Sequence, residues 1–281
     1  MKLAVLADIH ANYIALQAVA EHLEAWQPDQ VIVAGDIVNR GPRPLECLHF
    51  VQQQAQTNGW LLVRGNHEDY VIELAQNEAN HTQVERDFYQ PIAWTYQQLN
   101  RVVAPLTALP LQQSIADPNG LEVRVTHGTM LGNRDGIFPK TTADELRRKI
   151  SPAPHVLCVG HTHWPLTRQI DKTLVVNVGS VGMPFDRDTR ASYAQLTWQQ
   201  GQWHAEIIRL PYNLAQTERD YFDSGYLDEG GPIVQLILDE LRQARPNLYG
   251  WTKQYTDQIF TGDISVAESV SSYMSTLGLS S

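Results

Sequence analysis

Cysteine is scarce in this chain: its 281 residues include two, Cys47 and Cys158, far apart and without a CxxC spacing. Neither a disulfide framework nor a zinc ribbon can be assembled from them, and a reducing cytoplasm is the expected setting. Long apolar runs are lacking too. The opening run Leu3 to Ala7 is cut by Asp8, and nothing approaches the roughly 18 to 20 residues of a membrane helix, so neither a membrane span nor a signal peptide is expected. Basic charge is in deficit, with 21 Lys and Arg against 31 Asp and Glu and a formal net charge of −10. That balance disfavours long nucleic acids as partners, because backbone binding relies on clustered cations that neutralise phosphates. A local positive site remains open if bound metal ions supply the charge. There is no internal repeat and no low-complexity tract.

What is present is 43% hydrophobic residues, enough for one sizeable core with an appendage. Short β-branched runs alternate with helical stretches through the first half: Leu3 to Ala7, a helix near Ala11 to Trp26, Val31 to Ala34, a helix opened by Pro42 and Pro44, then Leu61 to Val63 and a helix over Glu68 to Gln76. This is an α/β pattern. A helical insertion near residues 78–105 interrupts it, with Trp94, Tyr96 and Leu99 interspersed; aromatics at helical spacing favour a core role over a pocket role for Tyr89, Trp94 or Arg101. Strands follow near Leu111 to Ile115, Leu121 to Thr126, Val156 to Val159, Leu166 to Ile170, Leu174 to Val176, Ser192 to Trp198 and Gln202 to Leu210. The expected organisation is a main α/β domain over residues 1–210 and a helical C-terminal extension over residues 211–281 packed on it, ending in a serine-rich stretch.

Five polar clusters each follow a strand-like run: Asp8-Ile9-His10, Gly35-Asp36, Gly65-Asn66-His67-Glu68, His127-Gly128 and Gly160-His161-Thr162-His163. In α/β sheets ligands gather beyond the carboxyl ends of strands, so side chains scattered in sequence can converge there. Carboxylate, amide oxygen and imidazole suit manganese, iron, zinc or nickel, and soft thiolates are missing. Asp8 with His10, and His161 with His163, are two apart, so in a locally extended segment each pair would project to one side.

With these clusters in this order the sequence resembles the metallophosphoesterase superfamily, also called calcineurin-like phosphoesterases, and looks closest to its small bacterial and archaeal phosphodiesterase-like branch. Asn177 to Gly182 and Asp188 to Tyr193 also find counterparts, and the resemblance runs over roughly residues 1–245. It implies a four-layer αββα sandwich of two mixed sheets flanked by helices. It further implies two divalent ions, manganese foremost: Asp8, His10 and His163 hold the first, Asn66, His127 and His161 the second, and Asp36 bridges them. Ions roughly 3.5 to 4 Å apart could clamp an in-line displacement and generate a bridging hydroxide at neutral pH. By the same resemblance His67, beside the ligand Asn66, binds phosphate and protonates the leaving oxygen, a contribution of about 10² to 10⁴ in rate. Asp36 and His67 are thus the expected catalytic residues, and Arg40, Asn66 and His67 the expected substrate contacts.

The stretch Gly35 to Gly41 also resembles the signature of serine/threonine protein phosphatases and of symmetrical diadenosine tetraphosphate hydrolases, in which the arginine matching Arg40 holds phosphate. Protein phosphatases carry aspartate where this chain has Asn39, which weakens that reading; Asn39 can still hydrogen-bond His67 without charge assistance. The expected activity is hydrolysis of a small, nucleotide-like phosphodiester. The alternatives are a symmetrical dinucleoside tetraphosphatase, a phosphomonoesterase or protein phosphatase, and, in a different class, a scaffold that has lost catalysis. Bland roles are expected for His22, His49, His81, His155 and His204, for Cys47 and Cys158 as apolar fillers, and for Asn177 and Ser180 as turn residues. Arg134, Phe138, Lys140, Arg147, Arg148 and Lys149 can meet an anionic substrate or form a solvated helix face. The aromatic tail after Asn247 can cover an apolar surface or mediate an oligomer.

Overall fold

In a computed structural model, described over residues 1–278, with 279–281 of the serine-rich end outside the described residues, the chain begins with β1 (Lys2–Leu6), α1 (Tyr13–Trp26), β2 (Gln30–Ala34), α2 (Pro44–Asn58), β3 (Leu61–Val63) and α3 (Asn66–Asn77). The insertion follows as a 3-10 turn (Glu78–Asn80), α4 (Gln83–Phe88), α5 (Gln90–Gln98) and α6 (Ala104–Thr107). Next come β4 (Gln112–Ala116), β5 (Glu122–Thr126), α7 (Ala143–Lys149), β6 (Val156–Val159), β7 (Leu166–Ile170), β8 (Thr173–Asn177), β9 (Ala191–Gln199) and β10 (Gln202–Leu210). The chain closes with α8 (Leu214–Asp223), α9 (Tyr226–Glu229), α10 (Ile233–Gln243), α11 (Asn247–Thr261) and α12 (Val266–Thr276).

Local chemistry sets the boundaries. The Asn12 side chain accepts the Ala15 N–H at 3.1 Å to cap α1, Pro44 opens α2, and Gly59 closes it in the left-handed region. Gln200 and Gly201, at φ 51° and 81°, make the primed turn that suits the twist of the β9–β10 hairpin.

The strands form two five-stranded mixed sheets, in the orders β10-β9-β1-β2-β3 and β4-β5-β6-β8-β7. Strands β1, β2 and β3 are parallel, as are β5, β6 and β8; β9 and β10 add antiparallel on one side of the first sheet, and β4 and β7 are the antiparallel edges of the second. The central strands are apolar on both faces because both are covered. Leu3, Val5, Ile32 and Ala34 meet Val123, Val125, Val156 and Cys158 between the sheets. Ala4, Leu6, Val31 and Val33 turn outwards onto Leu16, Val19 and Leu23 of α1 and Leu48 and Val51 of α2. On the far side Leu157, Val159 and Val175 pack on Leu146 and Ile150 around α7.

The C-terminal helices build a further core in which Trp251, Tyr255, Ile259, Leu236 and Ile237 surround Trp94, Met183 and Phe185. The aromatic tail therefore covers an apolar surface of its own chain, and Trp94 of the insertion is core. No helix among the described residues is long and apolar enough to cross a membrane.

Candidate metal centre and cleft

Asp8 follows β1, Asp36 follows β2, Asn66 follows β3, His127 follows β5, and His161 and His163 follow β6. Parallel strands present these ends on one side, so their loops meet there. Backbone bonds lock them together: Asp8 N–H to Gly35 O at 3.1 Å, His10 N–H to Asp36 O at 2.9 Å, and Gly160 N–H to His127 O at 2.9 Å. The approach leaves no room for side chains, since a Cβ on Gly65 would lie 2.1 Å from Asp36 Oδ1 and one on Gly160 2.4 Å from Asp8 Oδ2.

The expectation that each Asp/His and His/His pair sits on extended backbone is corrected. Asp8, His10, Asp36, His161 and His163 have φ of 56°, 48°, 54°, 68° and 58°, the left-handed region that L-residues with side chains rarely occupy. Left-handed turns at the strand ends aim these side chains inwards, and such strain clusters at functional sites.

The donor atoms converge closely. His163 Nε2 lies 3.2 Å from Asp8 Oδ1 and 3.1 Å from His10 Nε2. Asp36 Oδ2 is 3.6 Å from His10 Nε2 and 3.3 Å from His127 Nε2. Asn66 Oδ1 is 2.8 Å from both His127 Nε2 and His161 Nδ1. The tautomers of the neutral rings follow from the second ring nitrogen: His127 Nδ1 donates to Ala34 O at 2.8 Å and His163 Nδ1 donates to Met183 O, so each, when neutral, offers an Nε2 lone pair to the cluster. Lone pairs thus face lone pairs, and buried Asp8 Oδ1 has no hydrogen-bond partner. Such a set repels itself unless positive charge sits within it, and it fits divalent cations.

Neighbouring charges and burial tune each group of the cluster separately. Burial lowers His127, yet the Asp36 carboxylate, with help from Asp8, pushes it up to about 10. Burial would raise Asp36, but His127, His67 and His10 hold it well below the usual carboxylate range. Burial drives His10 down, and it drives His161 down to about 4. The two carboxylates thus favour positive charge at His127, whereas burial favours the neutral rings of His10 and His161.

Glu68 closes the third polar cluster, and nothing in the sequence marks its role. Its buried carboxylate accepts the N–H groups of Asp36, Ile37, Val38 and Gly65 at 2.9, 2.8, 3.1 and 2.8 Å, so it shapes the loop that carries Asp36. Burial and the Asp36 carboxylate push it up to about 7 while the backbone donors pull the other way. Asn177 and Ser180 also brace the site: Asn177 Nδ2 donates to Gly160 O at 2.9 Å and Ser180 Oγ to Asp8 O at 2.7 Å.

A cleft of about 1300 Å³ opens over this cluster, lined at its inner end by Asp36, Arg40, Asn66, His67, His161 and His163. Buried Phe185 stacks on His163 with ring centroids 4.2 Å apart, and Phe138, Lys140, Trp164, Pro246 and Tyr249 line the cleft as well. Phe138 is 43% and Tyr249 73% exposed. Arg134 and Lys149 line it too but are paired with Glu73 and Asp135. Arg147 instead pairs with Asp144 and Asp171 on the surface. Arg40 stands 3.5 Å from buried Glu240 of α10 and 5.9 Å from the Phe185 ring. Sequence reasoning missed Glu240, Pro246 and Tyr249. The signal for Glu240 was its place on the apolar face of α10, beside Ile237 and Leu241. The remaining histidines lie elsewhere, His22 against Tyr193 and His155 against Asp117.

The profile of the calcineurin-like phosphoesterase superfamily domain matches residues 1–201. This chain belongs to that superfamily and is a hydrolase of phosphate esters, with a donor set suited to the metal dependence of the family. A metallophosphoesterase from Sphaerobacter thermophilus is similar at a TM-score of 0.68 and 26% identity, over 87% of this chain and 100% of that one. An uncharacterized protein of Methanocaldococcus jannaschii is 28% identical over 234 residues, 75% of this chain and 88% of that protein. A shorter likeness, 33% identity over 73 residues and 26% of each chain, links it to a symmetrical bis(5'-nucleosyl)-tetraphosphatase of Psychromonas ingrahamii.

Proposed function

We propose that the protein hydrolyses a small, nucleotide-like phosphodiester with two divalent ions, manganese foremost, at the strand-end cluster. The observation that carries this reading is the meeting of carboxylate, amide and imidazole donor atoms at the floor of a cleft far larger than a phosphate group. Asp8, His10 and His163 would hold one ion, Asn66, His127 and His161 the other, with Asp36 between them. Ions held there would bring the pKa of a bound water towards neutrality and share the charge of the phosphoryl oxygens.

The chain's own residues do the rest. Arg40 offers a guanidinium edge to the phosphate, steadied behind by Glu240. Asn66 and His67 line the same inner end, where His67 meets the leaving oxygen. Further out, exposed Phe138 and Tyr249 suit a planar base, and Lys140, without an ion-pair partner among the described residues, suits a further anionic group. Two buried free thiols fit a reducing compartment.

A second reading, symmetrical cleavage of a dinucleoside tetraphosphate, is favoured by Val38 to Pro42 and by the likeness to the Psychromonas tetraphosphatase. The deciding assay is hydrolysis of a generic aryl phosphodiester by chelator-stripped protein resupplied with manganese, beside the monoester and a dinucleoside tetraphosphate. Restored diester turnover, abolished by Asp36→Asn, is the expected result. Monoester preference would move the reading to phosphatases, and no turnover of any substrate would leave the scaffold.

A further inference from the structure

We propose that Asn39 holds His67 as its Nε2–H tautomer. His67 then meets the leaving oxygen as a hydrogen-bond donor with no second proton to transfer, and the enzyme is directed to leaving groups of low basicity: the phosphate of an anhydride, or a phenol, in preference to an aliphatic alcohol. This narrows the proposed function, away from nucleotide diesters that would expel a sugar alcohol and towards a nucleoside polyphosphate cleaved at an inner phosphoryl group, and it rests on His67 facing the leaving group.

The argument starts from an amide with two unlike ends. The Asn39 amide is buried, and its Nδ2 lies 2.8 Å from His67 Nδ1. Its Oδ1 accepts the backbone N–H of Arg40 at 2.9 Å and faces the Thr95 hydroxyl of α5 at 3.3 Å. The Thr95 hydrogen is shared with Pro91 O, also at 3.3 Å, so the Arg40 N–H is the deciding group. A main-chain N–H can only donate and cannot turn away. Reversing the amide would set N–H against N–H at a buried position.

Nδ2–H therefore points at His67 Nδ1, which must answer with a lone pair. The ring proton then belongs on Nε2, the nitrogen left for the cleft that His67 lines. A carboxylate at position 39 would accept at both ends and call for a proton on Nδ1, the opposite polarity. The His67 main chain is fixed as well, its N–H donating to Asp36 Oδ1 at 2.8 Å.

The chemical consequence is specific. The attacking water oxygen forms the new bond to phosphorus and gives up its proton to solvent. The P–O bond to the leaving group breaks with its electron pair staying on the leaving oxygen, which departs as an anion hydrogen-bonded to Nε2–H. A phosphate or phenolate carries that charge readily, whereas an alkoxide needs a proton transferred to it. An inner phosphoryl group of a nucleoside polyphosphate meets the requirement, since it is diester-like and leaves a phosphate.

Two measurements test this on the full chain. Nitrogen-15 spectra of the imidazoles in metal-free protein, assigned by loss of one signal set in His67→Gln, should show His67 with a bare Nδ1 and a protonated Nε2. In Asn39→Asp the proton should appear on Nδ1. In the manganese-loaded enzyme, rates across phosphodiesters of graded leaving-group basicity should fall steeply for the wild type. Asn39→Asp should flatten that dependence, raising the ratio of poor to good leaving-group rates by about tenfold or more. A wild-type Nδ1–H signal, or equal slopes in both proteins, overturns the proposal. The spectra need no turnover, so a wild type that hydrolyses none of the esters counts against the hydrolytic reading alone. Should Asn39→Asp fail to fold, the wild-type spectrum decides.

Discussion

The Glu240 carboxylate reaches the Arg40 guanidinium at 3.5 Å across 200 residues of sequence, and its other oxygen accepts the Leu248 N–H at 2.7 Å. One buried side chain thus ties the floor of the cleft to the junction of α10 and α11, beside Tyr249 of the outer wall. Glu240→Gln keeps an acceptor for Leu248 but loses the charge facing Arg40. It should cost about 1.5 to 3 kcal/mol of stability, the worth of a hydrogen bond to a charged group. A several-fold rise in KM should accompany that loss, with metal content unchanged. Urea melts beside steady-state kinetics would check both.

Glu68 acts one step behind Asp36. Glu68→Ala strands the four N–H groups it now accepts and should lower metal affinity about 10- to 100-fold, the usual effect of losing support for a ligand. Titration calorimetry of chelated protein would show it. Glu68→Gln, which keeps an acceptor, should lose less.

Metal removal should be visible as stability. Manganese at about 100 times its dissociation constant adds about 2.7 kcal/mol to the folded state, worth about 4 to 5 °C in a protein of this size. Differential scanning of stripped and resupplied protein should show that shift in the wild type and little or none in Asp36→Asn.

Alkaline pH should weaken the fold. Burial pushes the Cys158 thiol up to about 12 from an ordinary value of 9.0. Between those values the native chain keeps a proton that the unfolded chain has lost. The contribution is therefore whole below about pH 9 and declines as pH rises towards 12, by roughly 1.4 kcal/mol per unit from this group. Urea midpoints at pH 8.5 and 10.5 should differ in that sense, less so in Cys158→Val, and neither buried cysteine should react with a thiol reagent in the native protein.

The C-terminal helices should be indispensable. Trp251→Ala, which empties a fully buried site packed against Phe88, should cost about 3 to 5 kcal/mol in chemical denaturation. Truncation after Leu210 exposes Trp94, Met183 and Phe185 together and should yield protein that aggregates on gel filtration.

Residues with only one way to be satisfied were legible early. Strands such as Val31 to Ala34 and Val156 to Val159 announce themselves because burial on both faces demands unbroken apolar runs. The polar clusters stood out because each breaks such a run at its carboxyl end. The backbone of Asp8, His10, His161 and His163 is left-handed and not extended as the pair spacing suggested; Asp and His are enriched at positive φ, but most such residues still sit elsewhere, so residue type alone does not announce the turn. Arg147 looked like Lys140 in the sequence, yet helix rotation took it to the surface and left Lys140 in the cleft.

The sequence by itself determined the α/β class, the order of the polar clusters and the chemistry their side chains permit, since these depend on residue type and local spacing. Tertiary structure alone decided which lone pairs face one another, that Glu68 supports the Asp36 loop, and that Glu240 stands behind Arg40. It also decided the direction of the hydrogen bond from Asn39 to His67. Each of those depends on contacts between distant segments, and an amide or an imidazole shows which end it offers only when its neighbours have taken the other.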